Sequence, residues 1–171
     1  VPTYWIRPPQ RLLSSTGMHR FVWDLRCPSP GAVTHDYPIS AIVGDTPREP
    51  LGVIALPGTY SVVLTIEGRT FTQPLTVKMD PRVSTTPLAL SQQFSLANRL
   101  VKMMNESYAA WQQASGVAKR NLATLNTDLT TAYDVVEGAD AAPTAQASTA
   151  VTMLEQRLKT LLSTAKMRGG L

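Results

Sequence analysis

One cysteine and two histidines are the whole stock of thiol and imidazole ligands in this chain of 171 residues. Cys27, alone, cannot close an internal disulfide or supply a cysteine-based zinc site, and it leaves the redox compartment open. No apolar run approaches the roughly 20 residues that a bilayer-spanning helix needs, so no membrane span is expected. Charged side chains make up only 16% of the chain, and the net charge of +4 is spread evenly. Residues 1–86 hold eight Lys/Arg against six Asp/Glu, and residues 87–171 hold the same numbers. There is no basic stripe, and with it goes the expectation of nucleic-acid binding. The sequence also lacks an Asp-x-Asp-x-Asp-Gly calcium loop, a His-Glu-x-x-His pair and a phosphate-cradling glycine loop. No metal or cofactor is therefore expected. With no signal peptide and Val1 in place of a Met, the chain reads as a fragment of a longer polypeptide.

What remains is 43% hydrophobic, the composition of a folded protein, with length for one domain or two small modules. The clearest pattern runs from Pro57 to Arg82. Tyr60, Val62, Leu64 and Ile66 alternate with small or polar neighbours, and Phe71, Leu75, Val77 and Met79 repeat the rhythm after Glu67-Gly68. Period two signals a strand with one buried face, and Gly68 can take the positive φ of a two-residue reversal. The spacing predicts a β-hairpin with one face in a core.

Around it, further strands are expected. Phe21, Trp23 and Leu25 alternate over Arg20–Arg26, with Trp23 as a core anchor, and Ile39–Val43 and Val53–Leu56 read as short strands. Three prolines in the first nine residues favour extended backbone, with Tyr4, Trp5 and Ile6 giving the arm something to bury. Tyr60, at the head of its strand, has the place of a tyrosine corner, whose hydroxyl bonds back to upstream backbone. Residues 1–83 are therefore expected to form a β-sandwich of the immunoglobulin or fibronectin type.

The rhythm changes at Thr86-Pro87, a helix cap followed by a proline suited to the first turn. A heptad seam follows from Phe94 through Val101, Tyr108, Leu122 and Leu129 to Val136, and a second from Ala147 through Leu158 to Ala165. Gly138 to Pro143 is the loop between them, and Gly169-Gly170 the end. Gly116 could break the helix and make three shorter ones, but the seam crosses Ser115-Gly116 in phase and no proline is present. One continuous helix 88–137 is therefore expected, and residues 87–168 become a long antiparallel helical hairpin. Leu129 should then meet Val151, Leu125 meet Leu154 and Leu122 meet Leu158. A second stripe (Leu96, Leu100, Met103, Ala110, Ala114 and Val117) needs cover from the sandwich, the N-terminal arm or another chain.

Few residues invite chemistry. His35-Asp36 with Cys27 could form a base, orienter and nucleophile, but neighbours in a strand point to opposite faces. His19 reads as the polar start of a strand. Asp45 and Glu49 share one loop rather than facing across a cleft, as glycoside hydrolysis requires. Asp24 suits a pair with Arg20 or Arg26, Asp80-Pro81-Arg82 suits a turn with a local ion pair, and Tyr4 or Trp5 could stack on a sugar. No catalytic, cofactor-binding or metal residue is assigned.

Several runs carry a resemblance: Val1-Pro-Thr-Tyr-Trp-Ile-Arg-Pro-Pro, Gly17 to Arg26, Asp36-Tyr-Pro-Ile-Ser40, Leu56-Pro-Gly-Thr-Tyr60 and Phe71 to Arg82. The sequence resembles the C-terminal region of large bacterial sortilin-like BNR-repeat β-propeller proteins, often labelled exo-sialidase or glycosyl hydrolase. The resemblance covers the first half closely and the helical half in general character. It implies an exported, periplasmic or extracellular protein with a propeller upstream, ending in an immunoglobulin-like sandwich and a helical tail. No propeller repeat occurs in this chain, so no catalytic position is carried over. The expected role is a non-catalytic accessory or interaction module. Its partners would be the upstream propeller, another chain, or a second copy in a homo-oligomer. The alternative is part of a carbohydrate-active enzyme that contributes to polysaccharide binding.

Overall fold

Among the described residues, the strands of the chain's first half form one hairpin, preceded by a short 3-10 turn; its second half is a helical bundle. The computed structural model describes residues 2–37 and 41–167. Ile39 of the expected strand, the side chain of Ala165 and the Gly169-Gly170 terminus lie outside the described residues. Strand β1 (Gly58–Ile66) pairs antiparallel with β2 (Arg69–Val77), from Gly58 opposite Val77 to Ile66 opposite Arg69. Glu67 and Gly68 lie at φ 50° and 78°, the pair of positive values that defines the tight reversal matched to strand twist. The hairpin and its turn are where the alternation put them.

The sandwich is not. Among the described residues the sheet has two strands, and no second sheet packs on it. Arg20–Arg26 and Val53–Leu56 meet only through a bridge between Arg26 and Ile54. Leu25 sits at φ 62°, which ends an extended run that Phe21, Trp23 and Leu25 would otherwise continue. Phe21 is exposed, and Trp23 is only half-buried, its indole N–H donating to the Arg26 carbonyl at 2.9 Å. Ile42 and Val43 are likewise exposed beside a turn. The first residues form a single 3-10 turn, Thr3–Trp5, with Tyr4 exposed and Trp5 half-buried. The physical reason is the proline-rich chain between Cys27 and Pro57, which finds its hydrogen-bond partners on the helices instead of on a second sheet.

Three helices follow: α1 (Pro87–Gln113), α2 (Gly116–Glu137) and α3 (Ala145–Met167). Thr86 caps α1 as expected, its hydroxyl accepting from Ala89 N at 3.2 Å. The continuous helix and the two-helix hairpin are corrected. Ala114 and Ser115 are extended at ψ 158° and 168°, Gly116 takes φ 56°, and the chain reverses. Glycine holds that φ without a Cβ penalty, so the fold-back is cheap. It sets Gln93 against Val136, Met104 against Asn126 and Trp111 against Lys119, so α2 runs antiparallel along α1. Helix α3 then packs on both, with ion pairs from Arg157 to Asp128 at 2.5 Å and from Glu155 to Arg99 at 2.7 Å.

The bundle core joins Leu96, Leu100 and Met104 of α1 to Leu125, Leu129 and Tyr133 of α2 and Val151 and Leu158 of α3. Leu125, Leu129, Val151 and Leu154 all join that cluster, which does not by itself make the expected pairs. Leu122 packs with Ala110, Ala114 and Leu161 rather than in the cluster that holds Leu158, and Asp128 meets Arg157, so α3 lies about one turn away from the expected register. Most of the second stripe is thus covered inside the bundle, with Val117 exposed. Full burial of one such aliphatic side chain contributes about 2 kcal/mol.

The coil of the first half is fastened to this bundle. Val53 is part of the core. Gly31 N donates to Asn105 Oδ1 at 2.7 Å and Val33 N to Asn126 Oδ1 at 2.8 Å. The Tyr133 hydroxyl donates to the Leu51 carbonyl at 2.8 Å, and burial pushes its pKa up. Gly52 passes so near Cys27 that a Cβ there would lie 1.8 Å from the Cys27 carbonyl oxygen.

Candidate functional site

The register sorts the hairpin into two unlike faces. Tyr60, Val62, Leu64 and Ile66 share one face with Leu75, Gln73, Phe71 and Arg69; Thr59, Ser61, Val63 and Thr65 share the other with Thr76, Pro74, Thr72 and Thr70. The second face is a hydroxyl-rich surface suited to water. The first was expected to lie in a core and does not. Val62, Ile66 and Phe71 are each 51% exposed, and Leu64 and Leu75 each 38%. Only the base of this face has cover: Trp23 meets Tyr60 edge to face at 5.5 Å. The Tyr60 hydroxyl donates to the Leu56 carbonyl at 2.6 Å, so the tyrosine-corner bond is present without a sandwich around it. At the far end Arg69 lies over the Phe71 ring at 5.9 Å.

A two-stranded hairpin with an uncovered apolar face is marginal in water; three strands or a packed partner are the usual minimum. Contiguous exposed apolar surface of this kind marks an interaction site. Leu12, Leu13, Met18, Phe21 and Val22 of the N-terminal coil are also exposed. Where the hairpin meets the bundle there is a groove of about 270 Å³ walled by Val53, Leu56, Pro57, Val77, Met79, Leu90 and Phe94. Glu137 stands at its margin, 3.3 Å from Arg26, and its carboxyl is pushed up by burial against the opposing pull of that guanidinium. Gln93 Nε2 donates to the Val136 and Ala139 carbonyls and so closes the end of α2 beside it.

The residues that invited chemistry are scattered. Cys27 is exposed and its amide donates to Val53 O, while no hydrogen bond joins it to either histidine among the described residues. His35 donates from Nδ1 to the Glu49 carbonyl at 2.9 Å, and His19 from Nε2 to the Ser15 carbonyl at 2.6 Å. Asp45 is bound by Arg7 at 2.7 Å, away from any pairing with Glu49. Asp24 accepts from the Arg26 amide at 3.1 Å, but the Arg26 guanidinium turns to Gly52 O and Glu137 instead. Asp80 and Arg82 make the local ion pair expected of that turn, at 2.6 Å, which holds the Asp80 carboxyl below its usual range. No cluster of three His, Cys, Asp or Glu able to hold a metal occurs among the described residues.

Sequence reasoning missed Asn126, a polar residue in the bundle core. Its place in the heptad stretch, one residue after Leu125, was the available signal. None of the three helices is long and apolar enough to cross a membrane, among the described residues. No family model matches the chain, and no curated protein or solved structure matches it significantly.

Proposed function

We propose that this chain is a non-catalytic interaction module that docks another polypeptide through the apolar face of its hairpin. The observation that carries the reading is the half-open row of Val62, Leu64, Ile66, Phe71 and Leu75, on a two-stranded sheet whose base is covered by Trp23 of the coil. The bundle is the rigid mount. Its core side chains are buried, the coil is tied to it by Asn105, Asn126 and Tyr133, and most of the exposed large apolar side chains lie in the first half of the chain. The sortilin-like resemblance adds an exported setting and a β-propeller as the polypeptide to be docked.

The experiment is a light-scattering mass of the chain alone and mixed with a sortilin-like β-propeller polypeptide, for wild type and for the double variant Leu64→Ser/Phe71→Ser. Assembly beyond 18.6 kDa for the chain alone, or beyond the mass of the separate components in the mixture, lost in the double variant with helical circular dichroism intact, supports the reading. A mass of 18.6 kDa for the chain alone, with no species in the mixture heavier than its separate components, overturns it.

A further inference from the structure

The two long edges of the hairpin are not equivalent. A two-residue turn makes its closing pair, Ile66 and Arg69, hydrogen-bonded, and bonded and non-bonded pairs alternate from there. Ser61 and Pro74 fall on a non-bonded pair, where a residue's amide points away from the partner strand. Pro74 therefore deletes a donor from the outer edge of β2, the usual way an edge is closed to pairing. The outer edge of β1 has no such block. Thr59, Ser61, Val63 and Thr65 all turn their N–H and C=O groups outward, and among the described residues no other backbone segment bonds to them.

We propose, resting on the docking reading above, that the outer edge of β1 pairs antiparallel with β1 of a second copy of this chain. The strand is complementary to itself. It carries no charged side chain, so two copies bring no like charges together. With a two-fold axis through Val62, Thr59 faces Thr65 of the second copy and Ser61 faces Val63, and all four outward residues meet outward residues. On the apolar face Tyr60 then lies opposite Leu64 of the second copy, an aromatic–aliphatic pair that stabilises sheets. The product is a four-stranded sheet with one continuous apolar face, which lifts the hairpin above the two-strand limit. A contact of one strand edge covers on the order of 500 Å² per partner, the transient size class, so association in the micromolar range is expected.

The test starts from Cys27→Ser, which removes the one native thiol. Residues facing each other across a non-bonded pair have Cα atoms about 4.5 Å apart, within disulfide reach. Under mild oxidation the full chain carrying Cys27→Ser/Val62→Cys should become a covalent dimer, and Cys27→Ser/Leu75→Cys should not. In the wild-type chain the mass should rise from 18.6 kDa toward twice that value with concentration. Val63→Pro, which removes an outward amide and leaves the β1–β2 ladder whole, should raise the midpoint of that rise at least about tenfold. A chain that stays monomeric alone yet assembles with the propeller polypeptide overturns self-pairing and leaves the docking reading standing. Self-association that cross-links through Phe71→Cys and not Val62→Cys overturns it too, because the hairpins would then stack face to face. Monomers in every arm overturn both.

Discussion

Asn126 of α2 donates through Nδ2 to the Ser107 hydroxyl of α1 at 2.9 Å, at a point where neither residue has any exposed surface. The same amide group reaches the Met104 and Gly31 carbonyls, each at 3.1 Å, and its oxygen accepts from Val33 N. A backbone N–H can only donate, so the atom facing Val33 is the oxygen and the orientation of the amide is fixed. One side chain thus ties two helices and a coil together. Asn126→Ala should cost about 2–4 kcal/mol, because Val33 N and the carbonyls lose a buried partner. Asn126→Asp should also destabilise, since a carboxylate would face those carbonyls. Urea denaturation midpoints measure both, and a loss under about 0.5 kcal/mol for Asn126→Ala would contradict the account.

Two glycines should respond to alanine for different reasons. Gly116 has open space around its missing Cβ, so Gly116→Ala should pay only for the positive φ, about 1 kcal/mol. Gly52→Ala would drive a Cβ into the Cys27 carbonyl and should part the coil from the bundle altogether. Amide exchange should then show Cys27 and Ala55 losing protection while the helices keep theirs.

The tyrosine-corner bond predicts a modest, local effect. Tyr60→Phe removes the donor to Leu56 and should lower stability by about 1 kcal/mol while leaving the Trp23 contact in place. Faster exchange confined to the β1–β2 ladder, with helical amides unchanged, is the expected signature.

Glu137 sets a pH dependence whose sign follows from its surroundings. Burial raises its folded pKa above the ordinary glutamate value, so the folded state holds its proton more tightly than the unfolded chain. Stability should therefore fall as pH rises from the ordinary glutamate value through the raised one. Glu137→Gln should flatten that stretch of the profile. Glu155 runs the other way: Lys159 and Arg99 hold its carboxyl down to about 2, so whatever it contributes is present above the ordinary glutamate range and fades on acidification. Because the Glu155 side chain is more exposed than that of Glu137, added salt should weaken its effect more than that of Glu137.

The hairpin was legible because Tyr60 to Ile66 and Phe71 to Val77 alternate on either side of a glycine turn, a local signal that needs no distant partner. The same kind of alternation at Phe21, Trp23 and Leu25 predicts a sandwich, which the two-stranded sheet of the described residues does not form. Alternation states which side chains share a face, not whether another sheet arrives to cover it. The apolar hairpin face is the clearest case: the pattern said buried, and the structure leaves it half open. The helix break was hidden for another reason. Gln113 to Gly116 reverse the chain without shifting the phase of the seam, so Gly116 marks a candidate break that the heptads read through and that the φ and ψ of Ala114, Ser115 and Gly116 reveal. Asn126 and its partners lie far apart along the chain, and no spacing rule links residue 33 to residue 126.

Unbroken from Pro87 to Glu137, the helix would be a rod roughly 75 Å long, with α3 sheltering less than half of it. Turned back at Gly116, it becomes two arms of about 40 and 33 Å lying side by side, short enough for a single third helix to lean on both. The molecule exchanges reach for girth: a lever becomes a stub.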